Sequence, residues 1–170
     1  CEFSIPPDTW PVECDTGQIS QVIQNLLINA EEAMPGGGVI RVAVTNTVVK
    51  RTTDAALAPG RYVAIRIADE GIGIPSEHLQ RIFDPYFTTK QRGSGLGLAV
   101  AFAVVRRHGG HISVESSLSV GTTFLIHLPA SDAASARTRP ETKRIAAGSG
   151  RILIMDDEDS IRKATGAMLR

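Results

Sequence analysis

Charge imbalance is missing from this sequence: 18 Lys and Arg face 18 Asp and Glu across 170 residues, for a formal net charge of zero. Without net positive charge, nucleic acid is a poor default partner. Cysteine is scarce as well. Cys1 and Cys14 are too few for a disulfide framework or a metal cluster, and both read as incidental thiols. His78, His108, His111 and His127 stand apart with no metal-ligand spacing. No apolar run approaches the roughly 18 residues a membrane helix needs, and no signal peptide opens the chain. The chain begins inside what reads as a strand. A piece of a longer protein is therefore expected, soluble and cytoplasmic itself, whether or not its parent is membrane-anchored. What remains is ordinary globular composition, 42% hydrophobic and 21% charged, enough for one well-cored domain plus an appendage.

Periodicity supplies the elements. Residues 1–14 read as two short extended pieces around Pro6, Pro7 and Pro11. Asp15-Thr16 offers helix-cap oxygens. Ile19, Val22, Ile23, Leu26, Leu27, Ala30 and Met34 then recur at helical spacing, predicting an amphipathic helix over about 17–34 that Pro35-Gly36-Gly37-Gly38 stops. Val39–Val49 and Tyr62–Ala68 read as strands, joined by a loop. Pro75-Ser76 predicts a short helix to about Ile82, and 83–95 a mobile loop. A helix from about Ser94 to His108 ends at Gly109-Gly110. His111–Glu115 and Thr122–Leu128 read as paired strands. From Ala130 to Gly150 large apolar residues nearly vanish, which predicts a linker over 131–150. Ile152-Leu153-Ile154-Met155 then predicts a strand ending in Asp156-Asp157-Glu158-Asp159, with a helix starting near Ser160.

Three places carry chemistry. Asn25 and Asn29 lie one turn apart on the first helix, and Asn29 falls about 20° from Val22, at the margin of the apolar stripe. Asparagine is a poor helix former. Its amide can bond to neighbouring backbone, or its oxygen can serve a hard cation that also shares phosphate oxygens. Asp69-Glu70-Gly71-Ile72-Gly73-Ile74-Pro75 follows a strand directly. Two glycines two apart let backbone approach a flat ligand closely, and a fixed carboxylate accepts a hydrogen bond from an exocyclic amine such as that of adenine. Gly93-Ser94-Gly95-Leu96-Gly97-Leu98 leads into a helix whose N-terminal N–H groups suit an anion. A dinucleotide-fold reading fails because the glycines come late in the chain. A Walker-type phosphate loop fails because no Gly-Lys-Ser/Thr follows.

Taken in order, these segments resemble the boxes of one family. Asn25-Leu26-Leu27-Ile28-Asn29-Ala30 resembles the N box of histidine kinases, Asp69–Pro75 the G1 box, and Phe83-Asp84-Pro85-Tyr86-Phe87-Thr88-Thr89-Lys90 the F box. Gly93–Leu98 resembles the G2 box, and Gly121-Thr122-Thr123-Phe124 with Leu128-Pro129 the last strand. The family is the catalytic and ATP-binding domain of sensor histidine kinases, in the superfamily with gyrase, the Hsp90 chaperones and MutL. The resemblance covers about residues 10–129. The wording Asn-Ala-x-x-Ala-Met is similar to the nitrogen-regulation type. The implied fold is α/β: a two-layer sandwich of the Bergerat type over 1–130, with one mixed, mainly antiparallel sheet covered on one face by three helices.

The resemblance also implies roles. ATP and Mg²⁺ are the expected cofactors. Asn29 would ligate the Mg²⁺ on the phosphates, with Asn25 beside it. Asp69 would bind the adenine amine, Gly71, Gly73 and Ile74 would approach the base, and Thr122 would reach it through water. Gly93, Ser94, Gly95, Leu96, Gly97 and Leu98 would form the lid hinge and phosphate-facing helix start, and Lys90 would face the terminal phosphates. Many relatives carry a basic residue three after the metal-binding asparagine. Here Glu32 stands there, and it is expected to turn outward into water, leaving phosphate charge to Mg²⁺, Lys90 and Arg92. No histidine sits in the acceptor pattern of the family, so the phosphorylated histidine is expected in a preceding dimerisation domain. Residues 151–170 resemble the opening of a receiver domain, in which Asp156 and Asp157 would help hold Mg²⁺ if the domain were complete. One strand and part of a helix bury no core, so the tail is expected to be disordered or docked elsewhere. The expected partners are the dimerisation domain and a receiver, in cis or separate. Two other classes remain open: an ATP-hydrolysing clamp, which would want a glutamate where Asn25 stands, and a nucleotide-binding module without kinase activity.

Overall fold

Asp15 starts the first helix. Its backbone is extended (φ −73°, ψ 109°) and its carboxylate accepts from the Gln18 N–H at 3.0 Å, the geometry of an N-cap. Helix α1 (Thr16–Glu32) follows and buries Val22, Leu26 and Ala30, each four residues from the last. Burying one such leucine is worth about 1.5–3 kcal/mol. The chain then supplies strands β1 (Glu2–Ser4), β2 (Arg41–Val49), β3 (Gly60–Ala68), β4 (His111–Ser117) and β5 (Gly121–Pro129), with helix α2 (Gly97–Arg107) between β3 and β4. The computed structural model describes residues 1–50, 57–90 and 93–131, all within one unit, Cys1–Ala136. A second unit, Arg137–Arg170, lies outside the described residues. So do Arg92, nearly all of the expected linker, and Asp156 and Asp157 with the expected receiver strand.

The strands form one sheet in the order β1-β2-β3-β5-β4. β1 runs parallel to β2 and the other three pairings are antiparallel. Register aligns apolar rows across the sheet. Val42, Ile67, Phe124 and Val114 are successive cross-strand partners, as are Val44, Ile65, Ile126 and Ile112. Partner side chains share a face of the pleat. Val42, Ile67, Phe124, Ile126 and Ile112 join Val22, Leu26 and Ala30 of α1 and Ala101 and Val105 of α2 in one buried core. Both helices therefore cover the same face, and the α/β two-layer expectation is met.

Helix α2 ends as Gly109-Gly110 foretells. Gly109 has φ +68° and donates to Arg106 O at 3.0 Å, while Gly110 donates to Val105 O at 3.0 Å. These paired bonds form a Schellman motif. The expected third helix near 75–82 is instead a run of turns. His78, Leu79 and Arg81 each donate to a carbonyl three residues back. Pro75 and Pro85 bracket a segment too short to offset the cost of helix nucleation, and packing of Ile82 into the core fixes its course. Two α-helices thus stand among the described residues. None of these helices is long and apolar enough to cross a membrane.

Candidate functional site

A cavity of about 680 Å³ opens between α1, α2 and the sheet. Asn25, Asn29, Asp69, Gly73, Ile74, Lys90, Gly93, Ser94, Gly95, Gly97, Leu98 and Thr122 all line it. Of the described residues assigned from the sequence to a nucleotide site, only Gly71 and Leu96 do not. Segments 97 residues apart in the chain, Asn25 and Thr122, meet here because α1 and β5 pack through the same core.

The sheet supplies the floor. Asp69 directly follows β3 and is 9% exposed. Its Oδ1 accepts from Gly71 N–H at 2.9 Å and Thr122 N–H at 3.2 Å, while its own N–H donates to Thr122 O at 2.9 Å. The carboxylate is thereby fixed. Its other oxygen takes no hydrogen bond from the described residues and remains for a donor in the cavity. Thr122 is buried, and its hydroxyl lies 3.0 Å from Ser116 Oγ, which also meets Ile74 N–H at 2.8 Å. Ile74, Ile82, Phe87 and Phe124 give the cavity an apolar wall. An apolar slot with one aimed carboxylate is chemistry for a flat heteroaromatic ring bearing an amine.

The glycines of the 69–75 turn lie against protein, although Gly73 also borders the cavity. A Cβ on Gly71 would meet Ala33 Cβ and O, both at 2.7 Å, and one on Gly73 would meet the Ser117 carbonyl oxygen at 2.1 Å. Gly73 also has φ +73°. The turn is clamped further by Ile72 N–H on Ala33 O at 3.0 Å and Ser119 N–H on Ile72 O at 2.8 Å. The close approach seen is to the end of α1 and the β4–β5 turn, whereas the sequence reading expected it toward a flat ligand.

The helices supply the polar side. Asn25 Nδ2 donates to Gly97 O at 3.1 Å, tying α1 to the first residue of α2. No side chain caps α2 at Leu96 and no acid stands in its first turn, so its N-terminal field is open to an anion. Gly95 (φ +67°) accepts from Tyr86 N–H at 2.9 Å, and a Cβ there would meet Tyr86 C at 2.4 Å. Tyr86 itself has φ +67°. This close backbone contact fixes where the Gly-rich segment leaves the F-box turn.

Lys90 Nζ donates to Asn29 Oδ1 at 2.9 Å and pairs with the Glu32 carboxylate. Glu32 therefore lines the cavity, and the expectation that it turns outward is corrected. Its reach is toward an ammonium brought from 58 residues away, which offsets the repulsion that outward placement was meant to avoid. The sequence reading also missed the apolar wall of Ile82, Phe87 and Phe124. Phe124 was legible as the residue two beyond Thr122, on the same face of β5.

Known proteins resemble this arrangement. A family model for the histidine kinase-, DNA gyrase B- and HSP90-like ATPases matches residues 14–132. Sensor kinase CckA of Brucella abortus (strain 2308) is 38% identical over 172 residues, covering 91% of this chain and 18% of that protein. The structure of a mycobacterial sensor histidine kinase, MprB, superposes with a TM-score of 0.59 at 32% identity, covering 76% of this chain and 80% of that one. Full-length ShkA in complex with AMPPNP superposes with a TM-score of 0.60 at 25% identity, covering 79% of this chain and 26% of that one. The chain thus spans about a fifth of a curated relative's length. It belongs to the histidine kinase-, DNA gyrase B- and HSP90-like ATPase family, and carries the domain of that family found in sensor histidine kinases.

Proposed function

We propose that this chain binds Mg-ATP in the 680 Å³ cavity and serves as the catalytic domain of a sensor histidine kinase. One observation supports the reading most: Asn29, Asp69 and Gly95, drawn from three separate motifs, line one cavity in a chain of this family. The free oxygen of Asp69 accepts the adenine amine, with Thr122 beside it and Ile74 and Phe124 against the ring. The N-terminus of α2, with Gly93, Ser94, Gly95, Gly97 and Leu98 around it, takes the phosphates. Asn29 Oδ1 already faces a cation, the Lys90 ammonium, so the donor fits Mg²⁺. The metal would neutralise phosphate charge, and phosphoryl transfer needs chiefly such neutralisation and positioning.

The acceptor is a histidine of a dimerisation domain that accompanies this one in its parent. Asn29-Ala30-x-x-Ala33-Met34 supports the nitrogen-regulation type. Ile152 to Glu158 supports a receiver in cis, to whose aspartate the phosphate would pass, with Asp156 and Asp157 at its Mg²⁺. The domain works on the cytoplasmic side. Hydrolysis in the manner of a clamp ATPase is disfavoured, because Asn25 is an amide and its nitrogen is engaged with Gly97 O. Calorimetric titration with Mg-ATP tests the reading. Saturable binding at one site is expected, and its absence overturns the assignment.

A further inference from the structure

Glu32 and Asn29 stand three residues apart on α1, so they share a face, and both line the cavity. The Lys90 ammonium lies between their side chains, bonded to Asn29 Oδ1 and to the Glu32 carboxylate. An ammonium is a cation with donors only. The oxygens it touches, one neutral and one anionic, are hard donors. Mg²⁺ is commonly held by one or two carboxylates together with substrate phosphate oxygens and water. A single amide oxygen supplies none of that charge.

The pairing that holds Lys90 is also easily exchanged. Its side chains are 43% and 51% exposed, and ion pairs this open are worth little in water. A bare carboxylate facing a triphosphate would repel it, whereas one bound to the accompanying metal attracts. Glu32 therefore needs a cationic partner in both states of the site. Lys90 serves before nucleotide arrives, and a divalent cation serves afterwards.

We propose that Glu32 contributes a carboxylate oxygen to the divalent cation that enters with ATP, and that Lys90 holds this oxygen pair until then. The Lys90 ammonium, no longer needed by Glu32 once a divalent cation accompanies the nucleotide, would turn to the phosphates. The inference rests on the nucleotide reading above and adds a metal ligand to it.

The test measures ATP binding by calorimetry for the wild type, Glu32→Gln and Glu32→Asp, each in Mg²⁺ and in excess EDTA. Glu32→Gln is expected to weaken Mg-ATP binding at least tenfold while leaving metal-free ATP binding unchanged or tighter. Glu32→Asp is expected to recover part of the loss in Mg²⁺ alone. Mg-ATP bound by Glu32→Gln as tightly as by the wild type, or more tightly, overturns the inference and makes Glu32 a mere counter-charge to Lys90. An equal loss in both media overturns it too, since that marks a structural role. Wild type that binds ATP in neither medium sinks the nucleotide reading along with it.

Discussion

Asp69 divides its carboxylate between structure and recognition. Oδ1 is held by the N–H groups of Gly71 and Thr122, and the second oxygen of this cavity-lining side chain takes no hydrogen bond from the described residues. Asp69→Asn can keep the first arrangement and reverse the second, turning an acceptor into a donor that meets the adenine amine. A hydrogen bond to a charged group contributes about 1.5–3 kcal/mol, so ATP affinity should fall roughly ten- to hundredfold with little change in thermal midpoint. Calorimetry beside a melting curve separates the two, and unchanged affinity removes Asp69 from the site. Gly73→Ala should do the opposite. Its φ of +73° and the Ser117 oxygen at 2.1 Å from the added Cβ both act on folding. The left-handed backbone alone costs about 1–2 kcal/mol, and the backbone clash adds to it. Urea unfolding at an unshifted midpoint would contradict this. The acid and the glycines of this turn were legible because their residue types are unusual together. What Gly71 and Gly73 approach was not legible, since Ala33 and Ser117 are distant in sequence. Glu32 was misread for the same reason: its neighbour Lys90 comes from the F-box turn, and nothing local announces the meeting.

Elements were legible wherever local chemistry and long-range packing agreed. For α1 the Asp15 cap, the spacing of Val22, Leu26 and Ala30, and the Pro35-Gly36 stop all point the same way, and the helix runs Thr16–Glu32. For α2 the Gly109-Gly110 pair gave the end to within a residue. The helix starts three residues after the expected Ser94, whose hydroxyl accepts from Leu96 N–H at 3.3 Å in the turn before it. Strands β2 and β3 were legible in the sequence, yet their partners were not. The order β1-β2-β3-β5-β4 depends on which apolar faces meet under the helices. The failure at 75–82 shows the limit from the other side. A helix start signal at Pro75-Ser76 is real, but the turns that follow, with Ile82 drawn into the core, satisfy the backbone without completing a helix.

At the scale of the whole molecule, the β4–β5 pairing ties stability to pH. His111 and His127 are direct cross-strand partners. The Nδ1 of each is buried without a hydrogen-bond partner among the described residues, and Tyr62 packs edge-on to His127. Burial lowers the pKa of both below 6.5, with the charge of Arg106 adding to the effect at His111 and that of His111 at His127. A histidine whose folded pKa is depressed binds fewer protons folded than unfolded. Stability is then full above the unfolded value, near 6.5, and declines as pH falls from there toward the folded values. Linkage limits the slope to about 1.4 kcal/mol per pH unit for each histidine, and the partial exposure of both rings keeps the effect smaller. Urea unfolding should therefore give a lower midpoint at pH 5.5 than at pH 7.5. The double variant His111→Gln, His127→Gln should flatten that difference, because glutamine takes no proton in this range. A difference that survives in the double variant would place the acid sensitivity elsewhere in the molecule.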